Sequence, residues 1–181
     1  PAITGGIGVC HTYVDSAADI DMSVSVVYNA KVQRPTVCNA LDTVLVHQSV
    51  ARDFLPILAS EFATHGVELR ADGRAMSVID ALKSGLKVTP AKSDDFGTEF
   101  LSLIASVKVV DSIDDALDHI GRFGSGHSEA IVSDDSEAVE RFLNEVDAGA
   151  VFANTSTRFN DGAEFGLGAE VAISTSKLHA R

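Results

Sequence analysis

Two periods of apolar residues alternate along the chain. Short runs rich in β-branched and aromatic residues predict strands, and apolar positions recurring at helical spacing predict helices. Residues 9–14 (V-C-H-T-Y-V) read as a strand behind the turn-forming Thr4-Gly-Gly-Ile-Gly8. Ser16 with Asp19 fits a capping box, and Ala17, Ile20, Val24, Val27 and Tyr28 share one face of the helix that follows. That helix is expected to end near Asn29, because Pro35 and its neighbours cannot continue it. Thr43-Val-Leu-Val46 is the next strand, and Val50, Phe54, Ile57, Leu58 and Phe62 stripe the next helix. Val67-Glu-Leu-Arg70 predicts a strand and Ala75 to Leu82 a short helix. Residues 84–97 carry turn and charged residues with little period, as expected of a surface excursion.

The pattern then resumes. Residues 100–110 read as strand, and Ile113, Ala116, Leu117 and Ile120 line a helix. Glu129-Ala-Ile-Val132 is a strand, and Ala138, Val139, Phe142, Leu143 and Val146 mark a helix that Gly149 is expected to stop. Ala150-Val-Phe-Ala153 closes the series. Strands alternating with helices predict an α/β fold with a mostly parallel sheet. Ligands of such sheets gather at the carboxyl ends of the strands, which favours Asn154-Thr-Ser-Thr-Arg158 and the glycine-rich residues 162–168.

Composition narrows the function classes. A chain of 181 residues suits one sizeable domain, and its 45% hydrophobic content argues for a folded core. No apolar run approaches the ~20 residues that cross a bilayer. An excess of 26 acidic over 14 basic residues, net charge −12, speaks against a nucleic-acid or anionic-membrane surface. The start at Pro1 has neither an initiator Met nor the regions of a signal peptide, which reads as an interior piece of a longer chain. Cys10 and Cys38 stand apart, outside any C-x-x-C spacing, and suit a reducing cytoplasm.

Cys38 lies in a polar, loop-like stretch between a helix and a strand, with Lys31 and Arg34 nearby to favour the thiolate. A lone cysteine is more often a small buried hydrophobe, so residue type alone leans towards a structural role. The glycines fail as a nucleotide turn: Gly5-Gly-Ile-Gly8 precedes a strand, and Gly121, Gly124 and Gly126 follow a helix. The six histidines are scattered without metal-ligand spacing. A Cys–His hydrolase using His11, His127 or His179 stays open as an alternative, as does a non-enzymatic α/β interaction module. The Asn154–Arg158 loop suits either an anion held by the Arg158 fork or a solvated turn that caps itself.

Several motifs carry a resemblance. Asn29-Ala-Lys-x-Gln-Arg-Pro-x-x-Cys38-Asn39, Gly8-Val-Cys-His-Thr-Tyr-Val-Asp15, Gly126-His-Ser-Glu-Ala-Ile-Val132 and Arg141-Phe-Leu-Asn-Glu-Val-Asp147 resemble, in order, the gamma-glutamyl phosphate reductase family of the aldehyde dehydrogenase superfamily. Asn154-x-Ser-Thr-Arg-Phe159, Glu164-Phe-Gly-Leu-Gly-Ala-Glu170 and Ser174-Thr-x-Lys-Leu-His-Ala-Arg181 continue the match. The resemblance implies a three-layer α/β/α, aldehyde-dehydrogenase-like catalytic domain over residues 1–181, with the cofactor domain and oligomerisation arm lying outside this chain. It implies reduction of gamma-glutamyl phosphate to glutamate 5-semialdehyde with NADPH, through a thioester on Cys38, in proline biosynthesis in the cytoplasm. By the same resemblance Glu99 holds the nicotinamide ribose and Arg158, with Ser156 and Thr157, clamps the substrate. Asn154 and the turn of Gly166 and Gly168 shape the pocket. The full-length protein is expected to be a homo-oligomer, with glutamate 5-kinase as a partner, and this chain alone is expected to be inactive.

One departure from the superfamily is informative. Its hydrolytic members carry a general-base glutamate just ahead of this region, where Thr4-Gly-Gly-Ile-Gly8 has no carboxylate and the first glutamate is Glu61. Without a base to activate water, a thioester is spared for exchange with phosphate.

Overall fold

Residues 5–79, 85–169 and 173–175 of the computed structural model are described here. Seven strands form one sheet: β1 (His11–Val14), β2 (Thr43–His47), β3 (Glu68–Ala71), β4 (Val88–Pro90), β5 (Ile104–Val110), β6 (Ser128–Val132) and β7 (Ala150–Ala153). The order across the sheet is β4-β3-β5-β2-β1-β6-β7, and every pairing is parallel. Parallel neighbours need crossovers, and helices supply most of them: α1 (Ile20–Val32), α2 (Ala51–Thr64), α3 (Gly73–Ile79), α4 (Ile113–Phe123) and α5 (Ser136–Glu145).

Both faces are covered, which is why the central strands are apolar at successive positions instead of alternating with polar ones. Val44 and Val46 of β2 face the helices α1, α2 and α3 in a core with Phe54, Leu58, Phe62 and Leu69. Leu45, between them, points the other way into a second core with Tyr13, Ile131, Phe142 and residues of α4. Each such side chain contributes about 1.5–3 kcal/mol on burial. The result is three layers, α/β/α.

Element boundaries shift from the sequence expectation for identifiable reasons. Asp19, not Ser16, caps α1, its carboxylate accepting from the Met22 N–H at 2.7 Å. The helix runs on to Val32, past Asn29, because Pro35 lies far enough ahead to leave one more turn intact. That extra turn carries Lys31 into the interior, fully buried. Helix α5 ends at Glu145 with Val146 as its cap; Gly149 sits beyond it, donating to the Gly126 carbonyl at 2.8 Å as the chain enters β7. The region expected to be a surface excursion holds a short edge strand, β4, where Pro90 is tolerated, and a 3-10 turn at Ser93–Gly97. The strand predicted from residue 100 begins only at Ile104, and Leu101 takes a positive φ of 48°. Gly121 lies within α4 and Gly124 caps it. The predicted helix as far as Leu82 extends outside the described residues.

Helix α4 buries one ionisable side chain, His119, whose ring packs against Phe96 and Phe123 and takes the Lys108 ammonium at Nδ1, 3.2 Å away. Burial, with His11, Lys108 and Arg122 nearby, lowers its pKa to about 3. The folded protein therefore keeps this imidazole neutral, while the unfolded chain takes up a proton as pH falls through about 6.5. Its contribution is fully present above that pH and is lost towards pH 3. His119→Asn keeps an acceptor for Lys108 without the titration. Urea unfolding at pH 7.5 and 4.5 should show a smaller loss of stability on acidification in the variant than in the wild type.

Candidate functional site

Cys38 sits in the turn that carries the chain from α1 to β2. The turn is closed locally by the Ala40 N–H on the Val37 carbonyl at 3.0 Å and tied back to α1 by the Leu41 N–H on the Ala30 carbonyl at 2.9 Å. The residues around it all precede strands: Gly8 and Cys10 before β1, Glu99 and Phe100 before β5, Ser125 and His127 before β6. The candidate site thus lies at the amino edge of the sheet, opposite the carboxyl edge that the general rule for open α/β sheets favours.

Gly8 lies directly on the cysteine. A Cβ built on it would stand 2.0 Å from the Cys38 carbonyl oxygen, so no larger residue fits there. The Gly8 N–H donates to Glu99 Oε1 at 3.0 Å. Glu99, half-buried, is brought to within one residue of the Cys38 backbone. Cys38 is itself half-buried, whereas Cys10 is wholly buried with its Sγ 3.3 Å from the Cys38 carbonyl oxygen. Burial, with Glu129 and Asp42 nearby, pushes the Cys10 thiol well above its usual pKa. Cys10 is chemically quiet. Both cysteines are thiols.

Lys31 does not serve Cys38 in the way its sequence position suggests. Its ammonium donates to the Leu41 carbonyl at 2.7 Å and stands 3.8 Å from Asp42 Oδ1. Burial pulls Lys31 down to about 8 and pushes Asp42 up to about 6, so the pair is charged on both sides only around neutral pH. Asp42 also accepts from the Phe100 N–H at 3.0 Å, next to Glu99, and from the Cys10 N–H at 3.4 Å. Arg34, the other basic neighbour, is exposed.

The loop after β7 reaches the same edge. From Asn154 the chain turns back along the sheet into a 3-10 turn, Thr157–Phe159, capped by Ser156. The Thr157 hydroxyl, fully buried, donates to the Asn39 carbonyl at 2.8 Å. Arg158 donates through Nη1 to Asn39 Oδ1, and Asn39 Nδ2 donates to the Asn160 carbonyl at 2.8 Å. The Asn160 amide donates to Ser128 Oγ at 2.8 Å, and that hydroxyl is 2.8 Å from His127 Nδ1.

The structure therefore gathers Cys38, Glu99, Thr157 and Arg158. Asn154 stands apart at the carboxyl edge, with a φ of 54°, exchanging hydrogen bonds with the Ser133 backbone at 3.0 Å. Gly166 and Gly168 lie in an exposed turn with positive φ and meet the site through Phe165, whose ring is 5.2 Å from that of Phe159. Two of the three histidines offered as partners are spent elsewhere. His11 shares a buried 3.0 Å contact with Glu129, and His127 is bonded to Ser128 and 3.9 Å from the Cys10 sulfur. His179 lies outside the described residues, as do residues 176–181 of the last matched motif. Asn39, Asp42, Ser128 and Asn160 were not singled out in the sequence as site residues. The one available signal was polar residues standing at the mouths of apolar strand runs, Asp42 before Thr43-Val-Leu-Val46 and Ser128 before Ala130-Ile-Val132.

Comparison with known proteins identifies what the chain is similar to. No protein-family model matches the chain. A gamma-glutamyl phosphate reductase from Dehalococcoides mccartyi is 58% identical over 181 residues, covering 100% of this chain and 42% of that protein. The crystal structure of a gamma-glutamyl phosphate reductase from Thermotoga maritima superposes with a TM-score of 0.94 at 44% identity, again over 100% of this chain and 42% of its own. The chain is gamma-glutamyl phosphate reductase-like from end to end. It spans about two fifths of the length of these relatives. An acetylating aldehyde dehydrogenase from Geobacillus thermoglucosidasius shares the fold, with a TM-score of 0.66 at 19% identity over 97% of this chain and 46% of that one. The α/β layers are thus those of the aldehyde dehydrogenase fold.

The exposure difference between the two thiols is directly measurable. Under native conditions a thiol reagent should label one cysteine quickly, identified as Cys38 by mass spectrometry, and label Cys10 only after unfolding. Equal labelling of both in the folded protein would contradict the burial of Cys10.

Proposed function

We propose that this chain carries the nucleophile of a gamma-glutamyl phosphate reductase, and that the full-length protein converts gamma-glutamyl phosphate to glutamate 5-semialdehyde in proline biosynthesis. The observation that carries the reading is the convergence around one half-buried cysteine of three sequence-distant segments: Gly8 against its carbonyl, Glu99 bonded to Gly8, and Thr157 bonded to the adjacent Asn39. The high identity to the named reductases supports the substrate class.

In this reading the Cys38 thiolate attacks the acyl-phosphate carbonyl carbon. The Cys38 backbone N–H receives the developing oxyanion, the carbon–oxygen bond to phosphate breaks, and phosphate leaves with the electron pair. A thioester remains on Cys38. Arg158 has Nη1 on Asn39 and a buried Nε with no partner among the described residues, which suits a substrate anion. Ser156 stands beside it, while the Thr157 hydroxyl is engaged with the backbone of Asn39.

The cofactor fits the one residue here that would touch it. Glu99 spends Oε1 on Gly8, and a carboxylate has a second oxygen to accept from a ribose hydroxyl. NADPH, when bound, supplies the hydride that takes the thioester to the aldehyde level. Exposed large apolar side chains flank these residues: Ile7 beside Gly8, Leu101 beside Phe100, Phe159 beside Arg158, and Phe165 and Leu167 in the glycine turn. Such a collar supports a site closed over by further protein, such as a cofactor domain.

The test runs the reaction backwards in the full-length protein. Oxidation of glutamate 5-semialdehyde by NADP should require phosphate, and Cys38→Ala should lower the rate on the order of 10³-fold or more. Turnover that proceeds equally well without phosphate would mark a hydrolytic enzyme and defeat the proposal.

A further inference from the structure

The turn that bears Cys38 is closed by its own backbone and tied to α1, and the residue after the cysteine is also held at three atoms by a segment 118 to 121 residues away. Thr157 Oγ1 grips the Asn39 carbonyl, Arg158 the side-chain oxygen, and the Asn160 carbonyl takes the side-chain amide. Asn39 is 4% exposed, so none of its polar atoms has bulk water as an alternative partner. The peptide before it is fixed as well: the Cys38 carbonyl faces Cys10 Sγ and the backbone of Gly8. Two successive carbonyls following the Cys38 Cα are thus each held by a different segment.

We infer that Asn39 is a positioning residue, which through these contacts with Thr157, Arg158 and Asn160 holds the Cys38 sulfur and backbone N–H in the geometry needed for attack. The inference rests on the reading of Cys38 as the nucleophile. It also assigns a second task to Arg158. One nitrogen of the guanidinium holds Asn39 while the buried Nε has no partner among the described residues, so an anion that reaches Nε acts on the same group that holds the clamp. Substrate binding and alignment of the nucleophile then share one side chain. Beyond Asn160 the contacts continue through Ser128 to His127, which braces the far end of the clamp in the buried amino edge of β6.

Displacing a nucleophile by even ~1 Å costs up to about 10²-fold in rate, so a loosened clamp should act on turnover more than on binding. The experiment compares Asn39→Ala, Thr157→Val and Thr157→Ser in the full-length protein, with rates expressed per titratable Cys38. Asn39→Ala is expected to lower kcat at least about tenfold with KM moving less than about threefold. Thr157→Val should fall in the same direction, and Thr157→Ser, which keeps the hydroxyl, should recover most of it. Iodoacetamide provides a readout independent of turnover. In Asn39→Ala, alkylation of Cys38 should quicken by roughly threefold or more as the turn loosens, while Cys10 stays protected. A thiol that becomes easier to reach and worse at the reaction is the signature of lost alignment.

Unchanged kcat per Cys38 together with unchanged alkylation would overturn the inference. So would a raised KM with intact kcat, because Asn39 and Thr157 would then act on the substrate directly. A wild type without phosphate-dependent turnover, whose Asn39→Ala variant still alkylates faster, would sink the reductase reading while leaving the clamp on the thiol in place.

Discussion

A buried carboxylate, Asp42, ties together the segments that meet around Cys38. Its backbone N–H donates to the Cys10 carbonyl at 3.0 Å and its own carbonyl takes the Ser106 N–H at 2.7 Å, joining β1 and β5 across the start of β2. Its side chain holds the Phe100 N–H beside Glu99 and faces the Lys31 ammonium. Burying two charges carries a desolvation cost that their attraction only partly offsets, and removing one partner of such a pair typically costs about 3–5 kcal/mol. The pair therefore adds little net stability. What Asp42 provides is a shared anchor, in contact with α1 through Lys31, with the residue beside Glu99, and with the chain at the starts of β1 and β5.

The same economy explains why the site sits at the amino edge. Helices in a parallel sheet run antiparallel to the strands, so the last turn of α1 arrives where β2 begins. The extra turn that carries Lys31 inward also delivers the chain to Cys38 with little slack. Glu129 and His11 lie directly opposite each other at the starts of β6 and β1, both buried, with the Glu129 carboxyl raised by burial. A second polar pair thus braces the sheet edge beneath the cysteine. The carboxyl edge has its own buried carboxylate, Asp15, which accepts from the Tyr13 hydroxyl at 2.9 Å and the Ser133 hydroxyl at 2.8 Å.

Much of the fold was legible in the chain. Runs such as Val44-Leu-Val46 and Ala130-Ile-Val132 are apolar on both faces, and only a covered parallel sheet accommodates that. The stripe of Phe54, Leu58 and Phe62 could belong to nothing but a helix on that sheet. The element ends were less legible because tertiary contacts decide them: α1 continues past Asn29 since Lys31 finds Asp42 and Leu41, partners that no local pattern announces. The cysteine turn was visible through its motif. Its partners were not, because Asn39 meets Thr157 across 118 residues and Gly8 meets Cys38 across thirty. The general rule about carboxyl ends singled out the loop after β7, and that loop begins at the carboxyl edge with Asn154 but makes its contacts with Asn39, ahead of β2.

Asn154 and Thr157 show how one short loop divides its work. Asn154 adopts a left-handed backbone at the carboxyl edge, a conformation that asparagine tolerates better than most residues, and its side chain exchanges hydrogen bonds with the Ser133 backbone on the neighbouring strand end. That bend turns the chain back along the sheet. Three residues later Thr157 is already beneath Asn39, and Arg158 follows with its guanidinium against the same side chain. A loop that looked in sequence like a cluster of ligand-binding groups is thus partly a strut, with the Ser156 and Thr157 hydroxyls spent on backbone atoms and the Arg158 guanidinium held by Asn39. Polar residues next to a cysteine can be occupied wholly by protein partners, as Asn39 is by Thr157, Arg158 and Asn160.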